Sequence, residues 1–269
     1  MTRFTAEWLS LREPYDRAAR NPSILGAVVD AFQGATSIRV VDLACGTGAT
    51  LRALEAHLPR RQSWQLVDND LGLLGRASVL GRPPDLNVVT TPLDLVRDLE
   101  LALDGALDLV TTSVLFDLVS LEWLDRLAVE AAARRVPVYA ALTYDGRTVI
   151  EPSDPFDAAI LAQVDAHQRT DKGFGPALGA SAAALSIERF ESVGYKVLHG
   201  QSDWLIGQND RAIQETIFAG WLQIASASKS VARDLVTGWL ARRRAYLTQG
   251  RSTLRVGHVD IFARPIASR

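Results

Sequence analysis

The feature that most constrains the fold is an apolar run that bends through two close glycines into a helical pattern, VVDLACGTGATLRAL at residues 40–54. Residues 37–44 are short, β-branched and apolar, which predicts a buried strand. Beyond the bend, Leu51, Leu54 and Leu58 recur at helical spacing. Glycines let a backbone approach a ligand closely, and the unpaired N–H groups of a helix start favour an electron-rich partner. The segment therefore predicts a strand–turn–helix unit with a ligand on its turn.

The same alternation of strand and helix continues along the chain. Strands are predicted at residues 63–70, 86–95, 107–116 and 136–146, with helical stretches between them, and a closing strand is predicted at 253–266. Strands that are apolar on both faces favour a parallel sheet covered on each side. Before the first strand, residues 5–33 are predicted to be helical, with an interruption at Pro14 and a new helix starting near Pro22.

Composition excludes several classes of protein. The net charge of −2 over 269 residues provides no field that would draw the chain to nucleic acid or anionic lipid. No stretch approaches the roughly 20 apolar residues of a membrane span. The single cysteine, Cys45, excludes an internal disulfide framework and a multi-cysteine zinc site. The first 20 residues carry charges throughout and no apolar signal core, so we expect a cytoplasmic protein of bacterial type.

Three acids stand at predicted strand ends: Asp42, Asp68 and Asp94. Ligands of open α/β sheets bind outside the carboxyl ends of the strands, so these acids are expected to meet in one crevice. Asp68 is placed to bind both ribose hydroxyls of a nucleoside, although it could instead cap the next helix. Asp94 could accept from an adenine amine while the Leu95 N–H donates to the ring. Because no basic phosphate clamp is present, the crevice favours a nucleoside without phosphates.

A nicotinamide dinucleotide is the alternative ligand of such a bend. Its fingerprint requires a third glycine, which allows tight helix–strand packing beside the pyrophosphate. Leu51 occupies that position here. The substitution weakens the nicotinamide interpretation.

The segments VVDLACGTG, LVDNDLGLL, TPLDL and LDLVTTSVLF resemble, in order and spacing, the successive motifs of class I S-adenosylmethionine-dependent methyltransferases. The resemblance covers residues 37–146. It implies an α/β, doubly wound Rossmann-like sheet of seven mostly parallel strands, with the last strand antiparallel and a helical insertion before it. It also implies S-adenosyl-L-methionine as cofactor and S-adenosyl-L-homocysteine as product, with no metal.

The resemblance assigns roles to individual positions. The turn of residues 44–48 would pack against the methionine part, Ser113 and Phe116 would flank the reacting methyl, and Asp42 would act through water or the methionine amine. The family often binds the methionine carboxylate from a preceding helix, where Arg12 and Arg20 are candidates unless they form a solvated face. The full set of predicted cofactor contacts is Arg12, Arg20, Asp42, Ala44, Cys45, Gly46, Thr47, Gly48, Asp68, Asn69, Asp94, Leu95, Ser113 and Phe116.

We predict a single methyltransferase domain over residues 1–269. It comprises an N-terminal helical segment (1–36), a cofactor-binding core (37–146) and two insertions that cover the substrate (146–180 and 203–252). No repeat, low-complexity tract or long linker divides the chain.

The acceptor side is predicted from polar residues after the fifth strand. His167 is the first candidate for a base or orienting group, with an exposed histidine at a helix end as the alternative, and Tyr144 is the second catalytic candidate. His258 is predicted to be a packed strand histidine. Five arginines at residues 241–255 form either a solvated face or a site for an anionic acceptor. The predicted substrate contacts are Tyr144, Asp145, His167, Gln168, Lys172 and Phe174.

The predicted function is methyl transfer from S-adenosylmethionine to an oxygen, nitrogen or carbon atom of a small molecule. Two alternatives stay open: a nicotinamide-dependent oxidoreductase and a non-catalytic regulator that binds an adenosyl ligand. Neither nucleic acid nor a membrane is predicted as a partner, and the sequence does not decide the oligomeric state.

Overall fold

The apolar runs of the sequence form one sheet in a computed structural model, which describes residues 4–78, 84–228 and 232–266. The strands of this part of the chain are β1 (Ser37–Leu43), β2 (Arg61–Asp68), β3 (Leu86–Pro92), β4 (Leu109–Ser113), β5 (Val138–Glu151), β6 (Tyr195–Gln201), β7 (Trp204–Ile206) and β8 (Thr253–Pro265). Their order across the sheet is β3-β2-β1-β4-β5-β8-β6, and β7 pairs with β8 off this path.

The first five strands run parallel, so their carboxyl ends share one edge of the sheet. β8 runs antiparallel to both β5 and β6. The prediction of a mostly parallel sheet with an antiparallel closing strand is confirmed. The described residues form eight strands rather than the predicted seven, because the three residues of β7 add a short pairing to β8.

Helices cover both faces of the sheet. Alternate residues of β1 point to opposite sides, with Val41 and Leu43 in one apolar cluster and Ile38 and Val40 in the other. The described α-helices are α1 (Ala6–Ala19), α2 (Pro22–Ala31), α3 (Ala49–Leu54), α4 (Leu71–Ser78), α5 (Leu99–Ala102), α6 (Leu121–Arg134), α7 (Asp157–Gln168), α8 (Ala182–Ser192), α9 (Arg211–Ala227) and α10 (Arg233–Thr248). None of these helices is both long and apolar enough to cross a lipid bilayer.

The N-terminal helix α1 continues through Pro14, where the sequence predicted an interruption. Pro14 is exposed, while Arg12 and Asp16 on either side of it are buried and form an ion pair at 3.0 Å. Because the two residues are one helical turn apart, their ion pair stabilises the helix around Pro14, which has no backbone N–H to donate. The second helix starts at Pro22 as expected, and the Asn21 side chain caps it by accepting from the backbone of the first turn.

The segment of residues 146–180, predicted to be an insertion that covers the substrate, contains α7, which packs with α9 and α10 around a third apolar cluster. The arginines of residues 241–255 connect these elements. Arg242 pairs with Asp154, while Arg243 donates to Asp157 and to the Pro152 carbonyl. Arg244, Arg251 and Arg255 contact Glu215, the Tyr246 ring and Asp203, respectively. Through Arg242 and Arg243, the helical cover formed by α7, α9 and α10 is fastened to the loop that follows β5. All five arginines have partners within the protein, so their interpretation as a site for an anionic acceptor is not supported.

Arg243→Ala is expected to destabilise the fold strongly, because the side chain is fully buried and its loss removes the charge partner of the Asp157 carboxylate. The expected loss is about 3–5 kcal/mol in the free energy of unfolding, measured by urea denaturation. Arg244→Ala is the matched control: that side chain is 56% exposed and water screens its pair with Glu215, so its loss should change stability far less. Equal losses in the two variants would contradict the fastening role.

Candidate functional site

A cavity of about 540 Å³ lies over the carboxyl edge of the parallel strands. One side of its wall is the bend after β1 together with residues that end or follow β2 and β4. The other side comes from α1, α7, α9 and the short strand β7, and includes Trp8, Trp204 and Trp221. The cavity therefore has a polar half against the sheet edge and an apolar, aromatic half under the helices.

The bend itself adopts a backbone that favours glycine. Ala44, Gly46 and Gly48 have φ angles of 54°, 55° and 81°. A Cβ atom added to Gly46 would lie 3.1 Å from Cδ1 of Leu9 in α1, so a side chain there would be both strained and crowded. Arg52 braces the bend by donating to the Thr47 carbonyl at 2.5 Å. Glycine thus lets the bend lie directly against the helix that closes the cavity.

Asp68 connects this bend to the end of β2. Its carboxylate accepts from the N–H of Gly46 and from the N–H of Asp70, both at 2.9 Å, and the side chain lines the cavity. Burial raises the pKa of Asp68. The helix cap that the sequence offered as the alternative role belongs to Asp70, which accepts from the N–H groups of Gly72 and Leu73. Asn69 lies on the wall beside them.

The structure does not place Asp94 on the cavity wall. Its carboxylate accepts from the Val96 N–H at 3.0 Å and pairs with Arg97 at 3.2 Å, so the side chain closes its own turn. The flanking Leu93 and Leu95 line the cavity instead. The adenine contact expected of Asp94 is therefore not supported, while Leu95 stays in position for one.

Three further side chains predicted to contact the cofactor also lie away from the cavity. Asp42 is fully buried beneath the bend and accepts from the Thr111 hydroxyl at 2.9 Å; burial raises its pKa to about 7. Arg20 donates to the Tyr139 hydroxyl at 3.2 Å. Phe116 packs inside the core. In each case a buried partner holds the side chain inside the protein. Gly48 is the N-cap residue of α3 and does not line the cavity. The predicted contacts that do line it here are Ala44, Cys45, Gly46, Thr47 and Ser113.

Arg12 reaches the cavity from α1. The side chain is buried, pairs with Asp16, and lies with its guanidinium carbon 5.8 Å from the centre of the Phe4 ring. Of the two arginines predicted for the methionine carboxylate, the structure brings Arg12 to the wall and keeps Arg20 from it.

Most of the predicted acceptor residues line the cavity. The Tyr144 hydroxyl donates to Asp165 at 2.8 Å, and burial raises the pKa of Tyr144. Burial lowers the pKa of His167 at the end of α7, which favours its neutral form. The Lys172 ammonium donates to the His167 carbonyl at 2.7 Å. Gln168 and Phe174 complete this part of the wall.

Asp145, also predicted to contact the substrate, is an exception. Its carboxylate pairs with Arg147 at 2.5 Å, and the residue does not belong to the cavity wall. The side chain leaves β5 toward the surface cluster that Arg147 forms with Asp203.

Asp117, a fully buried carboxyl on the cavity wall just after β4, was not among the site residues predicted from the sequence. Burial raises the pKa of Asp117 to about 6, and the charges of Arg12 and Lys172 act in the opposite direction. An isolated acid in the apolar run LFDLV was the signal for it. His258 is buried in its strand as predicted, but it also lines the cavity, and burial lowers its pKa to about 4.

Cys45 lies on the cavity wall with its side chain buried. Burial raises the pKa of Cys45 well above its ordinary value, so the thiol is held in its neutral form. The described residues contain no group of three or more His, Cys, Asp and Glu side chains that could hold a metal ion.

The chain matches no family model and no curated protein sequence. Its fold is similar to a cyclopropane-fatty-acyl-phospholipid synthase-like protein from Lactobacillus casei, with 13% identity, a TM-score of 0.52 and coverage of 96% of this chain and 94% of that one. The strand order and the reversed β8 agree with the arrangement that the sequence motifs implied. The chain has the class I methyltransferase fold.

Other solved structures with the methyltransferase fold are more distant. A SAM-dependent methyltransferase from Thiobacillus denitrificans, in complex with S-adenosyl-L-homocysteine, is 14% identical with a TM-score of 0.44 over 96% of this chain and 98% of that chain. A cyclopropane synthase from Mycobacterium tuberculosis is 13% identical with a TM-score of 0.47 over 90% and 83%. These likenesses concern the fold.

Asp42→Asn is expected to stabilise the protein at pH 8 and not at pH 4. Burial raises the pKa of Asp42 from an ordinary 3.8 to about 7 on folding, so above about pH 4 the folded state holds a proton that the unfolded state has released. The resulting penalty on stability grows between about pH 4 and pH 7, is complete above pH 7, and vanishes below pH 4. The expected gain at pH 8 is on the order of 2–4 kcal/mol, measured by chemical denaturation at both pH values.

Asp108→Asn provides a control of opposite sign. Hydrogen bonding to Arg39 lowers the pKa of Asp108, so its ionised form contributes stability above its ordinary pKa. This variant should lose stability at pH 8. A gain for Asp42→Asn that is the same at pH 4 and pH 8 would show that burial of the charge is not its cause.

Proposed function

We propose that the protein is an S-adenosylmethionine-dependent methyltransferase that acts on a small molecule. The observation that carries this proposal is the continuity of the cavity, which joins the glycine bend and Asp68 to an aromatic chamber under the helices. The first half suits an adenosyl ligand, and the second half suits an acceptor.

The wall residues fit the parts of S-adenosylmethionine. Asp68 keeps lone pairs free beside its two backbone donors, so it can also accept from the ribose hydroxyls. Leu93 and Leu95 offer an apolar slot for the adenine. Arg12 is the cation available for the methionine carboxylate, and Gly46 lets the backbone approach the methionine chain. When bound, the sulfonium supplies an activated methyl group.

The chain's own part in the reaction is to hold the acceptor against that methyl and to exclude water. Orientation of two reactants can contribute up to about 7–11 kcal/mol. Ser113 lies on the wall between the two halves, while Tyr144 and His167 lie on the acceptor side. We propose that Tyr144, fixed by its hydrogen bond to Asp165, and the neutral His167 orient the acceptor.

The nicotinamide alternative is less compatible with the packing. Leu51, which stands where the third glycine would be required, is 2% exposed and packs in the core beneath the bend. A side chain therefore fills the space that glycine would leave beside a pyrophosphate. Among the residues that the structure describes, no specific contact favours a dinucleotide over an unphosphorylated adenosyl group.

Asp68→Ala is expected to weaken the binding of S-adenosyl-L-homocysteine by about 1–3 kcal/mol, because charge-assisted hydrogen bonds to the ribose are lost. Isothermal titration calorimetry measures this directly. Asp94→Ala is the matched control: that carboxylate lies off the wall and pairs with Arg97, so affinity should change by less than about 0.5 kcal/mol. Binding of NAD in place of S-adenosyl-L-homocysteine by the unmodified protein would reverse the assignment.

A further inference from the structure

Three residues of the cavity wall each have a buried polar atom without a hydrogen-bond partner among the described residues. One is Nε of Arg12, which has the Asp16 carboxylate 3.0 Å away as its ion-pair partner; the other two are Oδ1 of Asp117 and Nδ1 of His258. The two residues are only 3% and 4% exposed. Buried polar groups are nearly always paired, so an unpaired one on a cavity wall indicates the place where a bound molecule completes the pairing.

The two residues belong to one cluster around Tyr144. The Tyr144 backbone lies near enough to the Asp117 carboxylate to act against the rise in its pKa, and Tyr144 pairs with His258 across β5 and β8. The ring of His258 lies 6.2 Å from that of Tyr144 and 5.1 Å from that of Trp204. The cluster therefore stands where the end of β4 meets the aromatic half of the cavity.

Charged and titratable groups face Asp117 from several elements. Arg12 approaches from α1 and Lys172 from the loop after α7, and both favour the ionised carboxylate. Elsewhere on the same cavity wall, His258 of β8 and His167 of α7 favour their neutral forms, and Tyr144 of β5 is held neutral by burial. Burial leaves the pKa of Asp117 at about 6, so the group is ionised at neutral pH yet basic enough to accept a proton.

We propose that Asp117 is the group that binds and deprotonates the methyl acceptor, and that the acceptor is a hydroxyl group on a flat apolar ring system. The aromatic half of the cavity, with Trp8, Trp204 and Trp221, matches such a ring. Lys172 disfavours an ammonium ion and stabilises the negative charge that grows on a hydroxyl oxygen. This inference rests on the proposed methyltransferase function.

In the methyl-transfer step, a lone pair of the hydroxyl oxygen forms the new O–C bond, and the S–C bond breaks with its electron pair staying on sulfur. The hydroxyl proton passes to Asp117 and then to water. The products are the methyl ether, S-adenosyl-L-homocysteine and one proton. His258, with its free Nδ1, accepts or donates a hydrogen bond near the ring without taking up charge at neutral pH.

The test uses 2-naphthol as a hydroxyl probe and 2-methoxynaphthalene as its methylated counterpart, titrated by calorimetry with and without S-adenosyl-L-homocysteine. At pH 7.5 the protein is expected to bind 2-naphthol about 10- to 100-fold more tightly, since only this probe donates to the carboxylate. Asp117→Asn, which keeps the shape of the side chain, should reduce this preference to a few-fold. Asp108→Asn, a carboxylate change at the surface pair with Arg39, should leave it intact.

A second measurement needs no substitution. In the unmodified protein the preference for 2-naphthol should decline between pH 7.5 and pH 5, as Asp117 takes up a proton near pH 6. Carboxyl ¹³C NMR of aspartate-labelled protein, assigned with Asp117→Asn, should show that same titration and its shift on binding of the probe.

The inference is overturned if both probes bind equally to the unmodified protein, if Asp117→Asn keeps the preference, or if 2-naphthoate binds more tightly than 2-naphthol. The last result would assign an anionic acceptor to Arg12 and Lys172. Failure of S-adenosyl-L-homocysteine to bind, with the preference intact, would reject the methyltransferase proposal and keep the hydroxyl subsite. Binding of S-adenosyl-L-homocysteine without a preference for 2-naphthol would keep the methyltransferase proposal and reject the hydroxyl subsite.

Discussion

The cavity depends on the Asp68 carboxylate, which joins the bend after β1 to the end of β2 through the N–H groups of Gly46 and Asp70. Without an acceptor there, the bend would lose the partner that holds its backbone at positive φ. The parallel strands bring both loops to one edge of the sheet, and α1 then closes over Gly46. The ligand surface is thus built from backbone and one carboxylate before any other side chain contributes.

The helical cover has a different physical basis from the sheet edge. Buried ion pairs and indole hydrogen bonds fasten α7 to α10, including Trp239 donating to Asp157 at 2.8 Å. Such pairs gain strength only where both partners are shielded from water, and they fix orientation as much as they add stability. The side of the cover that faces the cavity is mainly apolar, so it leaves few groups able to compete for a polar atom of the acceptor. Asp117 therefore differs from this apolar side of the cavity in being a buried carboxyl group.

The sheet could be predicted from the sequence because strand and helix periodicity are local properties of the chain. The bend and Asp68 followed from residue type and position at strand ends, and His167 followed from the group of polar residues after the fifth strand. Asp94 could not be excluded, because a strand-end acid can equally face the crevice or close its own turn. Asp117 was missed because its importance comes from complete burial and from neighbours more than 20 residues away, such as Tyr144 and Lys172. These depend on tertiary packing that no local pattern encodes.

In the proposed mode of binding, the bend holds an unphosphorylated adenosyl group whose reactive end points toward the aromatic half of the cavity. This arrangement can be seen in a crystal structure of the protein grown with S-adenosyl-L-homocysteine. We expect ribose hydroxyls within hydrogen-bonding distance of Asp68, the adenine beside Leu95, and the sulfur between Ser113 and the aromatic half. Density for the ligand outside the cavity, or with the adenosine in the aromatic half and the bend empty, would contradict it.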